Sequence, residues 1–135
     1  MNDKLFFDTN ILIYAVANDT DRTPPALAWL SRGGCISVQV LNEFANTARR
    51  KLNRPWEDVV AALETLRTIC GECIPLTEQT HDVAVGLARR YGFHLYDASI
   101  AASALEAKCT MLVTEDMQHG QRIDDRLTIH NPFRR

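Results

Sequence analysis

The stretch KLFFDTNILIY, residues 4–14, decides how the rest of the chain is read. Leu5, Phe6 and Phe7 are a short, aromatic, bounded run of the kind that forms a buried strand. Asp8 interrupts the run, Thr9 and Asn10 follow, and a second apolar run begins at Ile11. A carboxylate between two buried segments makes sense if the strand stops there and its end is put to use. Asp8 is also a residue type that caps helices. The stretch therefore reads as a strand, Asp8 at its end, and a helix from Asn10 to about Asn18.

The same pattern continues outward. Pro24 and Pro25 start a helix through Leu27 and Leu30, and Gly33-Gly34 stops it. CISV, residues 35–38, reads as a second strand. From Val40 to Leu52, the residues Leu41, Phe44, Ala45, Ala48 and Leu52 form an apolar stripe with helical period. Trp56 to Cys70 is helical, with Val59, Val60, Leu63, Leu66 and Ile69 expected inward and Glu57 and Asp58 at the positive end of its dipole. CIPL is a weak third strand that Pro75 consigns to an edge. Thr80–Tyr91 and Asp97–Lys108 are helices, the first closed by Gly92. MLVT is a fourth strand and LTIH a candidate fifth. Strands alternating with helices imply a parallel sheet covered on both faces. Right-handed crossovers then bring the C-terminal strand ends to one edge, where open α/β sheets bind ligands.

The totals suit one domain spanning residues 1–135. That length allows roughly 68% of the extended-chain surface to be buried, and 46% apolar residues supply a core. Asp3 and Lys4 precede only a short apolar run, so no signal peptide is expected. No stretch approaches the ~20 apolar residues of a membrane span. A cytoplasmic location follows as the expectation. Cys70 and Cys73 have metal-like spacing, but no second such pair or close His pair accompanies them. All four cysteines read as free thiols, mostly buried. The net charge of −2 gives no global basic field for nucleic acid. Local clusters exist at Arg49, Arg50, Lys51 and Arg54, at Arg89 and Arg90, and at Arg134 and Arg135; each is a solvated face or a phosphate-contacting patch.

Four acids fall on the shared edge. Asp8 ends strand one. Glu43 lies in the first turn or so of the helix after strand two, beside its apolar stripe. Asp97 opens the helix leading to strand four, and Asp116 follows that strand. Singly, Asp8 and Asp97 are readable as caps, Glu43 as a rim residue and Asp116 as a turn residue. Together they recur at one edge without a basic partner beside each. Clustered carboxylates repel unless a cation is present. Mg²⁺ takes oxygen ligands, one or two carboxylates directly, and keeps several waters. Such an ion activates water and stabilises charge on a phosphoryl oxygen. These are the physical essentials of a phosphodiester-hydrolysing site.

FFDTNILIY, VLNEFANTARR, LYDASIAASALEA and LVTEDMQHG, in this order, resemble the four acidic blocks of PIN-domain ribonucleases, and the likeness runs on to LTIHNPF. A single-domain chain of this length is similar to the VapC-type toxins of bacterial toxin–antitoxin pairs. The resemblance implies a three-layer α/β/α fold with a central, mainly parallel five-stranded sheet. It also implies Mg²⁺- or Mn²⁺-dependent cleavage of an RNA substrate, a homodimer, and a cognate antitoxin protein that blocks the site. Asp8, Glu43 and Asp97 match the three most widely shared acids. In the fourth block Glu115 and Asp116 are adjacent. Strand alternation turns Thr114 and Asp116 one way and Glu115 the other, and Thr114 matches the family's small hydroxyl residue, which selects Asp116.

Thr9, Asn10 and Thr114 support the site by hydrogen bonds or serve as caps. His119 reads as a loop residue rather than a general base. Arg49, Arg50 and Lys51, two turns along from Glu43, are candidates to hold the RNA backbone. Two other functions remain open at this level. One is a PIN-like module that binds a partner without catalysis, against which the presence of all four acids argues. The other is an aspartate-dependent phosphatase, which lacks support because Asn10 stands where its second acid would be and no lysine flanks Asp97 or Asp116.

Overall fold

The computed structural model describes residues 3–134. The chain runs β1 (Leu5–Phe7), α1 (Thr9–Ala17), α2 (Thr23–Leu30), β2 (Gly34–Ser37), α3 (Val38–Arg50), α4 (Trp56–Cys70), β3 (Gly71–Ile74), α5 (Glu78–Tyr91), α6 (Leu95–Glu106), β4 (Met111–Val113), β5 (Arg122–Ile123) and β6 (Leu127–His130). The strands form one sheet in the order β3-β2-β1-β4-β6-β5. All its pairings are parallel except β5 on β6. The expected five-stranded sheet thus has six strands, the addition being a two-residue edge strand. β3 lies at the opposite edge, where Pro75 placed it.

From β1 the chain moves one way to β2 and β3, then returns across the sheet to β4. The right-handed rule then assigns α1–α4 to one face and α5–α6 to the other. α1 packs against α2 and α3, α3 against α4, and α5 against α6. The order reverses between β1 and β4, and that reversal opens the crevice in which such sheets bind ligands.

The core explains the sequence pattern. Phe6, Phe7, Ile11, Leu12 and Phe44 are fully or almost fully buried, joined by Ile36, Ile100, Leu112 and Ile129 from the neighbouring strands and α6. The alanines of α6 let it pack closely: residues Ala98 to Leu105 are all buried. Gly34 is required where β2 meets β1. A Cβ there would lie 2.7 Å from the Leu5 carbonyl oxygen and 2.9 Å from the Phe7 ring. Gly92 closes α5 in the left-handed conformation, φ +74°.

Two expectations need correction. Val60 and Ile69 are 50% and 42% exposed rather than inward, because α4 seats only Val59, Leu66 and Cys70 fully against the core. Asp97 does not cap α6. His94 does, its Nδ1 accepting from the Tyr96 amide at 3.4 Å, and Asp97 stands three residues later in the first turn. All four cysteines are free thiols, with Cys35, Cys70 and Cys109 buried. Among the described residues no helix is long and apolar enough to cross a membrane.

Candidate active site

Asp8 ends β1 and caps α1. Its Oδ1 accepts from the Thr9 amide at 2.7 Å and its Oδ2 from the Thr114 hydroxyl at 2.8 Å. β4 is the strand neighbour of β1, and the Asp8 amide donates to the Val113 carbonyl at 3.0 Å, which brings the two strand ends together. Thr114 sits at the centre of the network. Besides donating to Asp8, its hydroxyl accepts from the Asp116 amide at 3.1 Å and from Asn10 Nδ2 at 3.3 Å. Asn10 Nδ2 also donates to Asp116 Oδ2 at 3.0 Å, while its Oδ1 accepts from the Glu115 amide at 3.3 Å. Asn10 and Thr114 thus connect the first acid to the fourth.

The α6 first turn supplies Asp97. One carboxylate oxygen from each of Asp8, Asp97 and Asp116 lies within 4.8 Å of the others, with Asp8 buried, Asp97 half-buried and Asp116 exposed. None of the ion pairs among the described residues touches this trio. Asp8 is only 4% exposed. Burial pushes its carboxyl up from an ordinary 3.8 to about 7, and the charges of Asp116 and Glu43 add to the rise against the two hydrogen bonds. Asp97 is raised as well, by burial first and then by Asp116, with His94 opposing. Three oxygen donors, mutually repelling and without an ion pair to a lysine or arginine among the described residues, fit a hard divalent cation.

Glu43 stands beside the trio rather than in it. Its Oε1 accepts from the Thr9 hydroxyl, and its Oε2 accepts from Gln39 Nε2 at 3.2 Å. The same Gln39 amide donates to the Tyr96 carbonyl at 3.2 Å, tying α3 to the start of α6. Glu43 lines a cleft of about 530 Å³ with Thr9, Asn10, Thr47, Lys51 and Asp116. Of the three candidate RNA contacts, Lys51 lines this cleft. Arg49 lies over the Trp56 ring, 5.0 Å from its centroid, and donates to the Arg54 carbonyl at 3.0 Å. Arg50 is exposed.

Glu115 turns away from Asp116. It accepts from the Tyr14 hydroxyl at 2.8 Å and from Arg22 Nε at 2.9 Å. Arg22 lies against the rings of both Tyr14 and Phe133, so this group fastens the segment that carries Asp116. His119 Nδ1 accepts from the Asn131 amide at 3.0 Å and belongs to the loop. Sequence reading missed Gln39, Tyr14 and Arg22. Gln39 stands four residues before Glu43 on one helix, a spacing that places the two side chains together. Nothing local pointed from Arg22 to Glu115, 93 residues away.

The arrangement of four acids around a β1/β4 crevice is that of a known class. A sequence model of the PIN domain matches residues 5–123, and the chain belongs to the PIN-domain family. The comparison with curated proteins finds no match. Among solved structures, the chain is similar to a toxin–antitoxin complex from Klebsiella pneumoniae (21% identity, TM-score 0.68, covering 96% of this chain and 98% of that one). It is also similar to DNA-bound VapBC from Salmonella typhimurium (22%, 0.69, 97% and 99%). A third is VapC20 from Mycobacterium tuberculosis, a sarcin–ricin-loop-cleaving toxin (20%, 0.65, 81% and 87%). At these identities the likeness is one of fold.

Proposed function

We propose that this chain is a divalent-metal-dependent endoribonuclease and the toxin of a toxin–antitoxin pair. The observation that carries the reading is the convergence of the Asp8, Asp97 and Asp116 carboxylates within 4.8 Å, with no ion pair to any of them among the described residues. These three would hold Mg²⁺ or Mn²⁺. Such an ion, when bound, acidifies water and neutralises charge that grows on a phosphoryl oxygen.

The chain's own groups do the rest. Thr9 and Gln39 fix Glu43 at the cleft wall, where its carboxylate accepts a proton from the attacking water. Thr114 and Asn10 hold Asp8 and Asp116 in register, so that neither needs reorientation during the reaction. Lys51 attracts the phosphodiester backbone into the cleft against the field of the acids.

RNA as the substrate is favoured by the activity stated for VapC20, and an antitoxin partner by the complexes among the structural neighbours. An exposed apolar groove of about 700 Å³, lined by Val16, Leu27, Leu30, Ala62, Leu66 and Ile69, supports a protein partner. A homodimer and a cytoplasmic site of action complete the proposal by resemblance to VapC-type toxins.

The test uses partner-free protein with a mixed RNA pool and DNA of matching sequence, in Mg²⁺, in Mn²⁺ and in EDTA. The expected result is RNA cleavage with either metal and none in EDTA, lost in Asp97→Asn. Equal cleavage with and without EDTA would refute the metal mechanism. Cleavage of DNA in preference to RNA would refute the substrate assignment.

A further inference from the structure

The acid trio has a cleft on each side, and the two differ in chemistry. The first, described above, contains Lys51. The second, of about 350 Å³, lies between the α5–α6 turn and the segment after β4 and is bounded by Asp97 and Asp116. Its other walls include Phe93, His94, Met117, Gln118 and Gln121, and no lysine or arginine among the described residues lines it. Arg90, close by in sequence, is held by both carboxylate oxygens of Asp124, at 2.8 and 3.0 Å.

The walls are fixed in place. The Phe93 ring stacks on Tyr91 with centroids 5.3 Å apart and planes 14° apart. The Tyr91 hydroxyl is anchored by donating to Asp124 and accepting from its amide. Gln118 and Gln121 sit on one turn, closed by the Gln121 amide donating to the Gln118 carbonyl at 3.2 Å. Gln118 is exposed and Gln121 half-buried, so each side-chain amide offers donors and an acceptor to the cleft. Tyr96, next to Asp97 in the chain, is 62% exposed with its ring 5.7 Å from that of His94.

A phosphate meets no lysine or arginine here among the described residues and faces two carboxylates. A nucleobase is uncharged and flat, with an edge of donors and acceptors. The cleft volume falls in the ~300–1,000 Å³ range of small-ligand sites. Aromatic walls with nearby amides match how unpaired bases are bound, by stacking and by hydrogen bonds to their edges.

We infer that this second cleft is the base subsite: it takes the base of a nucleotide beside the scissile phosphate, stacked on Phe93 and His94 and contacted at its edge by Gln118 and Gln121. The two clefts then divide the substrate, with backbone toward Lys51 and base toward α5–α6. The substrate is unpaired at that nucleotide, because a base inside a duplex has both faces covered. The inference rests on the nuclease reading for the identity of its ligand.

The test separates the two. Full-length protein and Gln118→Ala/Gln121→Ala are titrated in EDTA with a fluorescent single-stranded RNA hexamer of mixed sequence and with the same hexamer made abasic. Both proteins also receive a randomised RNA pool with Mn²⁺, and the cut sites are sequenced. Wild type should bind the base-bearing hexamer about tenfold more tightly than the abasic one, as base stacking and edge contacts require. In the variant that ratio should shrink several-fold, and the base preference at one position beside the cut should flatten. Phe93→Leu should shrink the ratio in the same direction, with thermal unfolding checking that both variants are folded. Equal binding of the two hexamers by wild type would overturn the inference even if RNA is cut. So would a ratio and cut profile unchanged in the folded variants. A pool left uncut while the ratio persists and depends on the glutamines would defeat the nuclease reading and support the subsite.

Discussion

Asp8→Asn is the perturbation whose outcome the structure constrains most. The native carboxyl is pushed up to about 7 from an ordinary 3.8, mainly by burial. The native state therefore keeps a proton between pH 4 and 7 that the unfolded chain gives up. Stability of the metal-free protein falls as pH rises through that window and levels off above it. A shift of about three units at ~1.4 kcal/mol each makes the full loss about 4 kcal/mol. Asparagine carries no charge and caps α1 about as well, so the variant escapes this loss. Its side-chain NH₂, however, faces a Thr114 hydroxyl that already accepts from Asn10 and Asp116. That crowding costs about 1–2 kcal/mol.

The net expectation is a variant more stable than wild type by about 2–3 kcal/mol at pH 8 and no more stable at pH 4. The assay is urea unfolding of both proteins in EDTA from pH 4 to 8. Adding Mn²⁺ at pH 8 should reverse the order, since the ion binds the native wild type and stabilises it by mass action. A wild-type stability that stays level or rises from pH 4 to 8 relative to Asp8→Asn would refute the reasoning. It would mean that Asp8 is ionised in the folded protein without any cation.

Three further outcomes are expected. Asp116→Asn should lose much of the Mn²⁺-induced rise in melting temperature, whereas Glu115→Gln should keep it while lowering the metal-free unfolding midpoint, because Glu115 binds Arg22 and Tyr14 rather than the trio; calorimetric scans with and without Mn²⁺ distinguish them. Lys51→Gln should reduce the salt slope of single-stranded RNA binding by about 0.7, measured by anisotropy across a salt series, and Arg49→Gln by less, since that guanidinium is already engaged by Trp56 and the Arg54 carbonyl. Gly34→Ala should destabilise by about 1–3 kcal/mol through overpacking, read by urea unfolding, because its Cβ would meet the Leu5 backbone at 2.7 Å.

The order of elements was legible because it is written in local signals. Helical and strand periods, Pro24-Pro25, Gly92 and the break at Asp8 each act within a few residues. Parallel alternation then places Asp8, Asp97 and Asp116 at one sheet edge without any knowledge of distance. Strand alternation also separates Glu115 from Asp116. β5 was not legible: it has two residues, Arg122 and Ile123, too few to show a period. Its turn relies on Asp124 and Asp125 adopting positive φ, 52° and 54°, which Asp tolerates but does not advertise as Gly would. The exposure of Val60 and Ile69 was hidden for another reason. A helical stripe shows which side faces inward, but not how much of that side a neighbour covers.

By itself, then, the sequence determined the backbone: which segments are strands, which are helices, and which acids stand at their ends. Tertiary structure alone decided the chemistry of those acids. Asp8 is buried because β4 lies beside β1, and its hydrogen-bond partner Thr114 is 106 residues away. Glu43 is held beside the trio by Thr9 from another helix, 34 residues away, as well as by Gln39 on its own helix. The asymmetry between a cleft with Lys51 and a cleft with Phe93 and Gln118 exists only once α3 and the α5–α6 turn flank the same crevice. Backbone conformation follows from neighbours in the chain, whereas desolvation and charge–charge energy depend on neighbours in space.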